Sequence, residues 1–210
     1  MTTPSDVTPA KPPPNASIEE LRAAAASCTA CELYETATQT VFSAGSLIAR
    51  IALVGEQPGD QEDRQGIPFV GPAGRLLQRA VDEVGLGRGD VYVTNAVKHF
   101  RFRTDGPGTR RIHQTPELRH MTACRPWLHA EMTVLDPIVM VLLGATAAKQ
   151  VLGSSARVGA LRGQLIPRQA KGRWSVVTIH PSAVLRADDR EVAYAGLVSD
   201  LRVAVDVLSS

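Results

Sequence analysis

The stretch TRRIH, 109–113, places a histidine behind two arginines, inside a segment (RFRTDGPGTRRIHQTP) with prolines, glycines and no apolar periodicity. Such a segment reads as a polar loop, where side chains have little packing duty. His113 is then either solvated or aimed at something anionic, with Arg110 and Arg111 beside it. Glu56 opens a second candidate segment, GEQPGDQEDRQGIPFVGPAG (55–74). Its glycines invite a phosphate-loop reading, but the Gly-Lys-Ser/Thr ending is missing. Glu56, Asp60, Glu62 and Asp63, with no lysine among them, would repel phosphate. A carboxylate in a glycine-lined pocket instead suits positioning a water or stabilising a cation; the plainer alternative is a turn cap. Asn95 offers a donor and an acceptor from one amide, as reading the Watson-Crick edge of a base requires. Phe69 could stack on a base or belong to the core. His180, before Pro181, could donate to a carbonyl oxygen or simply finish a strand.

CTAC at 28–31 is a C-x2-C pair, and the remaining cysteine, Cys124, lies far downstream. That spacing suits zinc or an iron-sulfur cluster, and less well a redox dithiol, because no βαβ unit follows directly. Inert buried thiols are the competing reading. Four ligands need a further residue, and His99 and His120 are both candidates.

Elements must bring these groups together. RIALVG (50–55), VYVTNAV (91–97), IVMVLLG (138–144) and WSVVTI (174–179) are continuously apolar, as strands buried on both faces are. Helical patterns lie between and after them: AGRLLQRAVDEVG, TPELRHMTACRPWLHAEMTVL with Thr115 as N-cap and Pro116 at the first helical position, ATAAKQVL, and REVAYAGLVSDLRVAVDVL. Ser17 and Glu20 make a capping box for a first helix ending near Cys28. The alternation predicts an α/β fold: a three-layer α/β/α domain over residues 17–210 around a mostly parallel four-stranded sheet. The proline-rich residues 1–16 are expected to form a disordered tail. In such folds ligands bind beyond the carboxyl ends of the strands, where Glu56, Gln57, Asn95, His99 and His180 all emerge.

With 210 residues, 44% of them hydrophobic, the chain is long enough for one well-cored domain. A net charge of +2 makes any nucleic-acid binding depend on local clustering, which Lys98, Arg101, Arg103, Arg110, Arg111 and Arg119 provide. Three cysteines make no disulfide framework, the apolar stretches are too short to span a bilayer, and the first residues lack the basic start and apolar core of a secretory signal, so no secretion is expected. A cytoplasmic, monomeric protein without membrane attachment is expected.

In order and spacing, GEQPGDQEDRQGIPFVGPAGRLL, VYVTNAVK, CRPWL and HPSA resemble the iron-sulfur branch of the uracil-DNA glycosylase superfamily. With CTAC they span nearly the whole ordered chain. In conventional members of that branch a cysteine, the third cluster ligand, follows NxVK; here it is His99. This departure favours His99 over His120 and implies Cys28, Cys31, His99 and Cys124 as ligands of a 4Fe-4S cluster. The RRIH-bearing insertion is similar to that of the X-type enzymes, whose loop histidine bonds covalently to uracil-containing DNA. Those enzymes usually carry Lys before RRIH, where this chain has Thr109, a change expected to weaken a phosphate contact or loop anchoring. The resemblance implies uracil-containing DNA, including single strands, as substrate and free uracil as product. It implies His113, Glu56 and His180 as catalytic, and Gln57, Phe69, Asn95, Arg111 and Arg110 as substrate-binding, with Gln57 supporting the site through backbone or side-chain contacts and Arg111 matching the arginine that holds the loop. A conventional multiple-turnover glycosylase and a non-catalytic iron-sulfur DNA-binding module are the alternatives.

Overall fold

The computed structural model describes residues 8–87, 89–105 and 110–209. The first helix, α1 (Ile18–Ala25), carries the expected box: Ser17 Oγ accepts from Glu20 N, and Glu20 reaches back to the Ser17 backbone. The sheet contains β1 (Ser43–Gly45), β2 (Ile51–Gly55), β3 (Val91–Asn95), β6 (Val139–Leu143), β7 (Leu165–Pro167) and β8 (Trp174–Thr178). Its six strands run in the order β1-β3-β2-β6-β8-β7. The four expected strands form its parallel centre, and β1 and β7 pair antiparallel on its two edges. The edge strands escape sequence reading because three residues are too few to show a period. Around the sheet lie α2 (Asp60–Gln65), α3 (Pro72–Glu83), α4 (Leu118–Leu135), α5 (Ala145–Leu152), α6 (Val158–Leu161), α7 (Pro181–Leu185) and α8 (Arg190–Asp206).

The continuous apolar runs have a simple cause. Along β2 and β6, Ala52, Val54, Met140 and Leu142 face α1, α4 and α5, while Ile51, Leu53, Val139, Val141 and Leu143 face α3 and α8. A strand covered on both faces has no polar side to show. Among the described residues, no helix is long and apolar enough to cross a membrane.

Three local expectations need correction. The polar loop is in part a hairpin, β4 (Phe102–Thr104) with β5 (Arg111–His113), in which Phe102 faces His113 and Thr104 faces Arg111. Thr109 lies outside the described residues. The long helix begins two residues later than expected, at Leu118, and its N-cap is Glu117. The Thr115 carbonyl is instead taken by the Arg101 guanidinium. Finally, of the expected tail, residues 8–16 lie against the domain: Ala10 is buried and donates its N–H to the Ala123 carbonyl at 2.9 Å.

Candidate active site

The ends of β2, β3 and β8 and the hairpin enclose a cavity of about 530 Å³, lined by Glu56, Gln57, Phe69, Asn95, His113 and His180, with Glu62, Thr115, Ser182 and Arg186 among the other walls. Its volume falls within the range of small-ligand sites. Gly55, the last residue of β2, creates the inner space. A Cβ there would come within 2.3 Å of Asn95 Oδ1 and 2.5 Å of Phe69 Cζ. Phe69 itself takes a left-handed backbone conformation, φ +58°, and its ring centroid lies 6.0 Å from that of His180. Non-glycine residues hold such a conformation only where the surroundings over-determine it.

Asn95 is almost fully buried at the end of β3, and its Oδ1 has no hydrogen-bond partner among the described residues. An unpaired buried acceptor costs about 1–3 kcal/mol, so a ligand that donates to it is favoured by a comparable amount. His180 caps α7, and its Nδ1 accepts from Ser182 N at 3.1 Å. A backbone N–H can only donate, so Nδ1 carries the lone pair and Nε2 carries the proton. Burial pushes the imidazole down to about 4, leaving a neutral Nε2–H donor at neutral pH.

Glu56 follows β2. One carboxylate oxygen, Oε1, lies 3.2 Å from His113 Nε2, and the other, Oε2, accepts from the Thr146 hydroxyl. Burial pushes the carboxyl up, but the bonds from His113 and Thr146 outweigh it and hold the group below its usual range. The site therefore has a charged carboxylate, an imidazole touching it, a neutral imidazole donor and an orphaned amide oxygen. Together they suit cleavage of a bond that leaves a cation on one fragment and an anion on the other.

Gln57 and Arg111 make their contacts within the protein, as support of the site by Gln57 and anchoring of the loop by Arg111 would require. Gln57 Nε2 donates to the carbonyls of Arg101 and Gln114, at 3.1 and 3.0 Å, and its Oε1 accepts from Arg101 N at 3.0 Å. It therefore ties the two feet of the hairpin together. Arg111 binds Asp60 and, at 2.6 Å, Asp63, and its guanidinium lies over the rings of Phe102 and Phe100. These contacts fasten the hairpin to α2. Arg110 remains exposed. Thr146, Ser182 and Arg186 were not singled out from sequence; the run ends GAT and HPSA, at strand carboxyl ends, are the signals that could have pointed to the first two.

The cysteines form a separate site. Cys28 and Cys31 line a cavity of about 1080 Å³ together with Trp127 and residues 8–11. Cys28 Sγ accepts from Trp127 Nε1 at 3.2 Å, and Cys124 Sγ from Lys98 N at 3.3 Å. Burial pushes Cys124 up to about 12 and raises Cys31 as well, and Cys124 also feels both other thiols. Among the described residues, no three His, Cys, Asp or Glu side chains converge on a single metal ion. A cluster spreads its sulfur ligands further apart than one ion does, and N–H···S bonds of this kind are what its thiolates accept. His120 is fully engaged: Nδ1 accepts from Glu117 N and Nε2 meets Glu32 at 2.8 Å. His99 Nε2 lies 2.9 Å from Thr40 Oγ1, and that hydroxyl is also 2.9 Å from the Ala25 carbonyl, which only its proton can satisfy. His99 therefore donates from Nε2 and keeps a lone pair on Nδ1, while burial lowers its pKa.

A three-layer fold with a cavity beyond the strand ends, lined by carboxylate, imidazole and amide side chains, defines an α/β domain with an enzyme-type pocket. Residues 42–202 match the uracil DNA glycosylase superfamily, and the chain belongs to that superfamily. It is 39% identical over 166 residues to a Type-4 uracil-DNA glycosylase of Thermotoga maritima, covering 79% of this chain and 81% of that one. To the Type-4 uracil-DNA glycosylase of Sulfurisphaera tokodaii it is 34% identical over 176 residues, covering 80% and 76%. The solved structure of Pedobacter heparinus SMUG2 aligns with a TM-score of 0.49 at 12% identity, over 77% of this chain and 76% of that one.

Proposed function

We propose that the protein excises uracil from DNA and is then joined to the deoxyribose C1′ through His113, in a single turnover. The observation that carries this reading is the contact between His113 Nε2 and Glu56, 3.2 Å, in the same cavity as the unpartnered Asn95 oxygen. Uracil leaves the base stack to enter the cavity, at a cost of roughly a few kcal/mol. Asn95 Oδ1 accepts from uracil N3–H, and its amide N–H donates to O4. Cytosine presents a lone pair at N3 and an amine at C4, so it meets the wrong sign at both positions. His180 Nε2–H donates to uracil O2 as the N1–C1′ bond breaks and its electron pair moves onto the base.

The sugar becomes oxocarbenium-like, and the Glu56 carboxylate stabilises that cation. His113 Nε2 then forms the bond to C1′, its proton passing to Glu56, while the uracil anion takes up one proton from solvent. The resulting N-linked imidazole is a poor leaving group, so the protein is consumed. Cys28, Cys31 and Cys124, with Nδ1 of His99, are the residues that would hold a 4Fe-4S cluster. Such a cluster would supply a cross-link between the turn after α1, the segment after β3 and α4.

The test is to mix the protein with uracil-containing DNA and denature it in hot detergent. A stable protein–DNA band with about one uracil released per protein is expected; free uracil and abasic DNA without the band would overturn the covalent step. In His113→Ala the band should vanish while water completes the reaction and uracil release turns over. The relatives' Type-4 name favours a second reading, a conventional multiple-turnover glycosylase, which the same gel distinguishes.

A further inference from the structure

We propose that Thr146 is a positioning residue for glycosidic-bond cleavage: its hydroxyl holds Glu56 Oε2, so that Oε1 is turned toward His113 and the base cavity. This rests on the excision reading above. Thr146 is the second residue of α5 and is almost fully buried. The helix reaches the site because Gly144, at φ +89°, precedes it. A Cβ at that position would press to 3.0 Å on His180 Cβ, so the glycine lets the start of α5 close against the strand that delivers His180.

An ionised carboxylate only accepts, and the Thr146 hydroxyl has a single proton, which goes to Oε2. The two oxygens of Glu56 are therefore not equivalent. One is fixed by the scaffold, and the other faces the imidazole and the position of C1′. Among the described residues, Thr146 is the donor to Glu56 supplied by the main helical scaffold, whereas His113 comes from the hairpin. Without the hydroxyl, the carboxylate would be free to rotate, and burial would push it up against one opposing donor instead of two.

The experiment measures single-turnover release of free uracil from a uracil-containing oligonucleotide across acid to neutral pH. The proteins compared are wild type, Thr146→Val, Thr146→Ala and Thr146→Ser. Valine keeps the shape and removes the donor; alanine is a second donor-free variant, so a packing fault of valine does not decide the outcome. In both, release is expected to slow about tenfold at neutral pH and the acid limb to move up by about one pH unit, as loss of one hydrogen bond to a charged group implies. Serine should restore both. Profiles that superimpose on wild type, or that fall by one factor at every pH and are not rescued by serine, would overturn the proposal. The readout is uracil rather than adduct, so failure of the covalent step leaves this test intact. A wild-type protein that releases no uracil would overturn the excision reading, and this inference with it.

Discussion

His180 acquires its chemistry from two neighbours in sequence. Pro181 starts α7, and Ser182 N donates back to the ring, so the tautomer is set by the local chain before any ligand arrives. Burial holds its folded value at about 4 against an ordinary 6.5. The unfolded chain therefore binds the proton more readily. The contribution of this group to stability is complete above about pH 6.5 and is lost as the pH falls through 6.5 toward 4. Urea midpoints taken over that window should fall less steeply for His180→Gln than for wild type; parallel curves would show that the ring is not depressed. At Asn95, alanine removes both halves of the side-chain amide that reads the base in the proposed reaction. Uracil release should drop about 10- to 100-fold, the equivalent of one or two lost hydrogen bonds, with little change in melting temperature because the deleted Oδ1 was unsatisfied.

In the proposed reaction, the hairpin separates base release from capture. It carries His113 on β5, whereas Glu56, Asn95 and His180 sit on the ends of β2, β3 and β8. Its position depends on two fastenings, Gln57 across its feet and Arg111 against Asp60 and Asp63. Arg111→Met should therefore reduce the detergent-stable adduct more than tenfold and leave uracil release within about threefold, because a misplacement of about 1 Å is costly to a bond-forming step. Equal loss of both would place Arg111 in substrate binding instead. The parallel strands and the larger helices could be read from sequence because each is an unbroken apolar run or a helical period. The hairpin could not, since β4 and β5 are three residues each and rich in arginine. Nor could the pairing of Arg111 with Asp60 and Asp63, or of Thr146 with Glu56, which depends on chain segments some fifty and ninety residues apart meeting in space. Glu56, Gln57, Asn95 and His180 were legible because the α/β topology sends strand ends to one rim; His99, expected on the same rim, does not line the cavity and bonds Thr40 instead, which strand order alone does not reveal.

Across the whole molecule, the strand-end cavity and the cysteine site are joined through one buried residue. Lys98 donates from Nζ to the Asn95 carbonyl at 3.0 Å and from its backbone N–H to Cys124 Sγ at 3.3 Å. Its ammonium is paired with Glu131, which Tyr92 and Thr94 also bond, and both charged side chains are essentially inaccessible to water. Burial raises Glu131, and Lys98 together with these hydroxyls opposes the rise. Removing one partner from such a pair leaves an uncompensated charge, at about 3–5 kcal/mol, whereas replacing both with apolar groups of similar volume is often nearly neutral. Lys98→Met alone should lower Tm by roughly 6–20 °C for a chain of this size. The double variant Lys98→Met with Glu131→Leu should recover most of that loss. The double variant also leaves the Asn95 carbonyl without the Nζ bond, so its uracil release should remain depressed although its stability returns. Recovery of both together would mean that Lys98 serves the fold alone. Recovery of stability without activity would mean that the lysine sets the geometry of the base-reading strand end, at the same segment that reaches the cysteines.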